Sequence, residues 1–197
     1  MNKQRAAAIT PLLVGMVRDV VDGSVRLARA ADAPVVAEVQ LHTWGVIYGP
    51  RLPQGAALPL DLETASERWR AAVASPPTAR HHLLVAVDGA GPNTPGEVVG
   101  FGAIGPSEDD DATQTVGEVM VLLVSAGHER QGHGSRLLQA SVDTLREDGF
   151  TTATTWTFTD DTVVEAFLAS TGWEPDGATR QLDMGEPVKQ RRMHVGL

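Results

Sequence analysis

The stretch Arg130-Gln131-Gly132-His133-Gly134-Ser135 lies between the apolar run Val119 to Val124 and a helix-period stripe at Leu137, Leu138, Val142 and Leu145. A strand that enters a helix through glycines leaves several backbone N–H groups unpaired, and the helix dipole adds partial positive charge at the same end. Such a turn suits an anion, and glycines let a phosphate approach the backbone closely. A nucleotide-binding loop would need Gly-Lys-Ser/Thr, and Gly134-Ser135 lacks the lysine. A dinucleotide fingerprint would need a third glycine where Leu137 stands. His133, between the glycines, is expected to pack, and its N–H is the part that the turn offers.

A carboxylate set in an apolar strand can act as a general base. Glu118 is the candidate, since a glutamate within an otherwise apolar strand calls for a reason. The acidic run Glu108 to Asp111 reads as a solvated turn. Trp156, Phe158 and Trp173 read as core, Trp44 ends an apolar helix face that suits core packing as well, and Tyr48 lies in the loop after that helix.

Composition narrows the partners. The chain has 197 residues, 42% of them hydrophobic, enough for one domain with a sizeable core. Zero cysteines exclude disulfides and thiolate chemistry. Six scattered histidines give no paired spacing for a metal, so none is expected. A net charge of −9 argues against nucleic acid as a partner and favours a cationic one. No stretch is long and apolar enough to span a membrane, and a cytoplasmic protein is expected.

Residues Ile9, Leu12, Leu13, Met16, Val17, Val20 and Val21 form one helical stripe, with Thr10 as N-cap and Gly23 as stop. A secretory segment would be apolar all round, so residues 1–23 are expected to be an amphipathic helix preceding a domain at 24–197. That stripe is expected to pack on its own chain or, preferably, on a second copy in a homodimer.

The elements that must position the chemistry follow in order. A strand is expected at Ser24–Ala28, a helix opening at Asp32-Ala33-Pro34, and a loop over Gly45–Pro59. Thr64 and Glu67 signal the cap of a second helix. Strands are expected at His82–Val87 and Glu97–Ile104 as a hairpin, then up to Val124. A helix broken at Gly149, a strand at Thr151–Phe158, a helix from Asp160-Asp161 to Ser170, and strands at Thr179–Met184 and Val188–Val195 complete the chain.

With this order, Gly132-His133-Gly134 resembles the pyrophosphate loop of the GNAT superfamily, the acyl-CoA-dependent N-acetyltransferases, whose pattern is Arg/Gln-x-x-Gly-x-Gly/Ala. Glu129 stands at the Arg/Gln position. A second similarity lies in Asp161 to Trp173, where Phe167, Gly172 and Trp173 match the family's Asn…Phe-Tyr…Gly-Phe/Trp spacing, with Asp161 for Asn and Leu168 for Tyr. The resemblance implies an α/β, mixed-sheet GNAT fold over roughly Ser24 to Leu197, preceded by the extra helix. It implies acetyl-CoA as cosubstrate and transfer to a primary amine of a small molecule or a protein amino terminus, by direct attack in a ternary complex. It places the pyrophosphate on Arg130 to Ser135, with Asp161 and Phe167 beside the cofactor. Pantetheine is expected to pair along Leu122, Leu123 and Val124, and the oxyanion donor is expected at the N–H of Leu123 or Val124. Trp44 and Tyr48 map to the acceptor pocket. Leu168 takes the place of the family's proton donor, which leaves a degenerate acyl-CoA-binding module as the alternative.

Overall fold

The computed structural model describes residues 23–49, 60–89, 96–183 and 187–197. The expected helix over residues 1–23 and its homodimer contact therefore lie outside the described residues, save Gly23, as does the side chain of Tyr48.

Seven strands form one sheet in the order β1-β2-β3-β4-β5-β7-β6. They are β1 (Ser24–Leu27), β2 (His82–Asp88), β3 (Glu97–Pro106), β4 (Val116–Val124), β5 (Thr152–Phe158), β6 (Glu174–Asp183) and β7 (Pro187–Gly196). Neighbours are antiparallel except β4 and β5, which run parallel. The helices are α1 (Ala33–Tyr48), α2 (Leu62–Ala74), α3 (His133–Glu147) and α4 (Thr162–Ala169). This is the mixed sheet that the element order implies.

Each face of the sheet has its own core. On one side Val36 and Val39 of α1 pack with Trp69 and Val73 of α2 against Leu83, Val85, Val87 and Phe101. Trp69 meets Phe101 edge-on, with ring centroids 5.2 Å apart, and donates Nε1–H to Gln40 at 2.7 Å. On the other side Leu137, Leu138 and Leu145 of α3 join Leu168 of α4 and Trp173 against Leu84, Val99 and Val119. Strand alternation explains the split on β2, where Val85 faces α1 and Leu84 faces α3, and on β3 a bulge at Val99 turns that residue to the α3 side while Phe101 faces α1.

Several boundaries differ from expectation. Helix α1 runs through Gly45 to Tyr48, so the loop begins later than Gly45. Helix α2 begins at Leu62 with Asp61 as its cap, accepting from the Thr64 N–H at 2.8 Å, so Thr64 lies inside the first turn. An aspartate satisfies that N–H as well as a threonine could. Strand β6 starts at Glu174, five residues before Thr179, because irregular pairing between Pro175 and Thr179 carries it past Gly177.

Candidate functional site: a gap in the sheet beside a helix N-terminus

Parallel pairing of β4 with β5 covers only Val116 to Glu118 against Thr152 to Thr154. One more bond, from Thr155 Oγ1 to the Val119 carbonyl at 2.8 Å, closes the contact. Beyond it the strands part. A cavity of about 300 Å³ occupies the gap, lined by Val119 to Leu123 of β4 and Thr155 to Phe158 of β5. Leu138, Asp161, Phe167 and Leu168 close it on the α3 and α4 side, and Trp44, Arg180, Leu182 and Gln190 also line it.

A bulge in β4 starts the divergence. Ala103 opposes Val121 and Ile104 opposes Val119, so Met120 is the extra residue and the strand bends there. The bulge also fixes which backbone groups face the gap. Ser125 donates to the Val99 carbonyl at 2.8 Å, so with strict alternation Leu123 and Val121 spend their amides on β3. Leu122 and Val124 then turn their N–H and C=O groups toward the gap. Leu123 is thereby corrected as a donor into the site: its N–H belongs to the ladder with Phe101.

At the C-terminal end of β4 the chain enters the glycine turn. Gly132 caps α3 in the left-handed region at φ 85°, and Arg130 is also left-handed at φ 63°. The N–H groups of His133, Gly134 and Ser135 form the first helical turn and have no acceptor within the helix. Gly134 is not left-handed; its value is space. A Cβ there would stand 3.8 Å from Val124 Cγ2 and 3.9 Å from Phe167 Cζ, where β4, α3 and α4 meet. The bare turn, its unpaired amides and the adjoining gap fit a phosphate with an extended chain behind it.

The loop before the turn is held by its own side chains. Glu129 Oε2 accepts from Gly127 N–H at 2.7 Å, and Gln131 Nε2 donates to the Gly127 carbonyl at 2.9 Å. The departure at Glu129 therefore ties down the loop. Arg130 is exposed. His133 is only 1% exposed. Its Nδ1 accepts from Arg136 at 3.1 Å, and its Nε2 faces Asp88 Oδ1 at 3.9 Å. Burial, and then the Arg136 charge, pull its pKa below the usual value, so a neutral ring supports the turn from beneath. Asp161 caps α4 by accepting from Val164 N–H at 3.0 Å, and its residue still lines the cavity.

Glu118 is half-buried on β4, outside the cavity lining but close to it. Burial first, and Asp109 second, push its carboxyl above the usual range, against a 3.3 Å bond from Ser107 and the charge of Arg180. The acidic run is not a simple solvated turn. Arg192 binds Asp109 at 2.9 Å and Asp111 at 2.6 Å, and also Asp176 at 2.6 Å. Trp156, expected as core, instead lines the cavity and donates Nε1–H to both Asp109 oxygens at 3.2 Å. Sequence reasoning missed Thr157 as well: its hydroxyl is buried in the cavity wall with no partner among the described residues. Among those residues no group of three or more His, Asp or Glu is placed to hold a metal, and no helix is long and apolar enough to cross a membrane.

The same fold recurs in solved structures. The Salmonella typhimurium protein yncA, solved with its cofactor acetyl-CoA, is 19% identical with a TM-score of 0.64, over 89% of this chain and 94% of that one. The ribosomal-protein-alanine N-acetyltransferase of Brucella melitensis gives 19% identity and a TM-score of 0.66, over 88% and 99% of the two chains. A GCN5-related N-acetyltransferase from Kribbella flavida gives 21% and 0.65, over 89% and 98%. No curated protein sequence matches the chain significantly. The model of the acetyltransferase (GNAT) family matches residues 52–173, which include the split strands, the glycine turn and α4. The chain belongs to that family.

Proposed function

We propose that this protein transfers an acetyl group from acetyl-CoA to a primary amine by direct attack in a ternary complex. The observation that carries the reading is the alignment of the β4–β5 gap with the unpaired amides that open α3. The pyrophosphate would take the N–H groups of His133, Gly134 and Ser135, with the helix dipole favouring its charge. Pantetheine would pair with the gap-facing backbone of Leu122 and Val124 as an added strand. The Val124 N–H is the donor for the thioester oxygen as charge builds on it. Phe167 packs where the loop and the gap meet.

When bound, acetyl-CoA supplies an acyl carbon that becomes bonded to the amine nitrogen as its carbon–sulfur bond breaks. The ammonium loses two protons in all. Glu118, directly or through water, accepts one and passes it to solvent, and the other ends on the departing sulfur. A carboxyl lifted above its usual range is a stronger base for that task. Leu168 cannot protonate the sulfur, but a thiol of pKa near ~8.5 is a tolerable leaving group. Thr157 belongs to the cavity lining and its buried hydroxyl has no partner among the described residues, so that it would replace part of that role by stabilising the thiolate.

Leu168 also motivates a second reading, an acyl-CoA-binding module without turnover. Calorimetry with acetyl-CoA, combined with thiol release over a panel of amines, separates the two. The enzyme reading expects binding and steady thiol release. Binding without release on any amine supports the module, and no binding contradicts both.

A further inference from the structure

The β6–β7 hairpin carries three arginines, and two of them are neutralised within the chain. Arg191 Nη1 binds Glu165 at 2.9 Å, and Arg192 is shared among Asp109, Asp111 and Asp176. Arg180 differs. Among the described residues no carboxylate lies within ion-pair distance of it, yet it lines the cavity in the β4–β5 gap.

Arg180 is also held in place. Its Nε–H donates to Gln190 Oε1 at 2.7 Å, and Gln190 is only 5% exposed. Its guanidinium carbon lies 4.3 Å from the centroid of the Trp156 ring, which Asp109 anchors through Nε1. Stacking and the Nε bond fix the guanidinium plane and leave the Nη groups for a planar acceptor with two oxygens. Such preorganisation reduces the entropy lost when a ligand is bound.

We propose that Arg180 selects the acceptor by binding its carboxylate, so that the acetylated amine is a free amino acid rather than a neutral amine or a polyamine. The inference rests on the acetyltransferase reading and names its substrate class. It replaces the cationic acceptor expected from net charge, because Arg192 already neutralises Asp109 and Asp111 of the acidic run, together with Asp176. Arg180 and Glu118 then divide the zwitterion. Arg180 takes the carboxylate, and Glu118, within electrostatic reach of Arg180, takes the proton from nitrogen. A cavity of about 300 Å³ lies at the small end of ligand pockets and must also admit the pantetheine end of the cosubstrate, which suits an acceptor with a short side chain.

The test uses the full-length protein with acetyl-CoA and matched acceptors: several L-amino acids, their amides, the corresponding decarboxylated amines, and putrescine. The expected result is kcat/KM for the acids roughly 10²-fold above their amides, the amines and putrescine. In Arg180→Gln that ratio should collapse through a rise in KM, and Arg180→Lys should restore part of it. Equal use of acids and amides, or a preference for putrescine, overturns the inference while leaving the acetyltransferase reading intact. An equal loss on acids and amides in Arg180→Gln would mean that the residue is merely structural. Acetyl-CoA binding with no turnover of any acceptor overturns the inference too. Failure to bind acetyl-CoA removes the underlying reading instead.

Discussion

Burial lifts the Glu118 carboxyl, and the same burial makes its charge a burden on the fold. A raised acid pKa means that the folded state holds the proton more tightly than the unfolded state does. Stability from that preference is present at low pH and is lost as pH rises through the folded value. Glu118→Gln should therefore raise the melting temperature at neutral pH, with the gain shrinking in acid. Its acetylation rate should fall by about 10²–10⁴, and the acidic limb of the pH–rate profile that the carboxylate sets should disappear. Calorimetric scans and thiol-release rates across pH check both halves. At Leu168 the expectation is reversed: Leu168→Tyr should raise turnover, by less than the about 10²-fold that a supported acid provides. Overpacking a side chain now 4% exposed should cost about 1–3 kcal/mol in denaturant unfolding. A normal CoA affinity without a rate gain would show that sulfur protonation does not limit. Glu118 was legible in the sequence because a lone glutamate in an apolar strand is conspicuous. Arg180 and Trp156 were not, because their meaning comes from partners such as Asp109, 47 residues from Trp156.

The glycine turn was legible as an element, since an apolar run, two glycines and a helical stripe leave few alternatives. The reason each glycine is needed was not. Gly132 is left-handed at φ 85°, so Gly132→Ala should cost about 1–2 kcal/mol of stability and loosen the turn. Gly134 keeps an ordinary backbone, so Gly134→Val should leave unfolding almost cooperative as before. Its side chain would fill the space beside Val124 and Phe167, and the CoA dissociation constant should rise roughly tenfold or more through a lost charge-assisted bond. Unchanged CoA affinity in Gly134→Val, measured by calorimetry, would place the phosphate elsewhere. The bulge at Met120 could not be read from Val119 to Val124, where every residue is apolar and no local signal marks the extra one. Yet that bulge decides that Leu122 and Val124, rather than Leu123, face the gap.

At the scale of the whole molecule, two cores on opposite faces hold a sheet that is open at one seam. The order of elements was legible because each strand and helix carries its own period and punctuation. Strand order and the seam depend on long-range pairing, which no local window reports. The amphipathic stripe at residues 9–21 bears on assembly, and we propose that it joins two copies. Deleting residues 1–22 should then convert a dimer to a monomer by light scattering, and a full-length monomer would contradict this. The proposed chemistry requires the seam and the helix end to act together on one ligand. Titration of the ¹⁵N-labelled protein with acetyl-CoA, followed by backbone amide shifts, tests this most directly. The largest changes should fall on His133, Gly134 and Ser135 together with Leu122 and Val124, with Leu123 moving less. Saturating acetyl-CoA that leaves those amides in place, or that moves only the turn and not the strand, would contradict it.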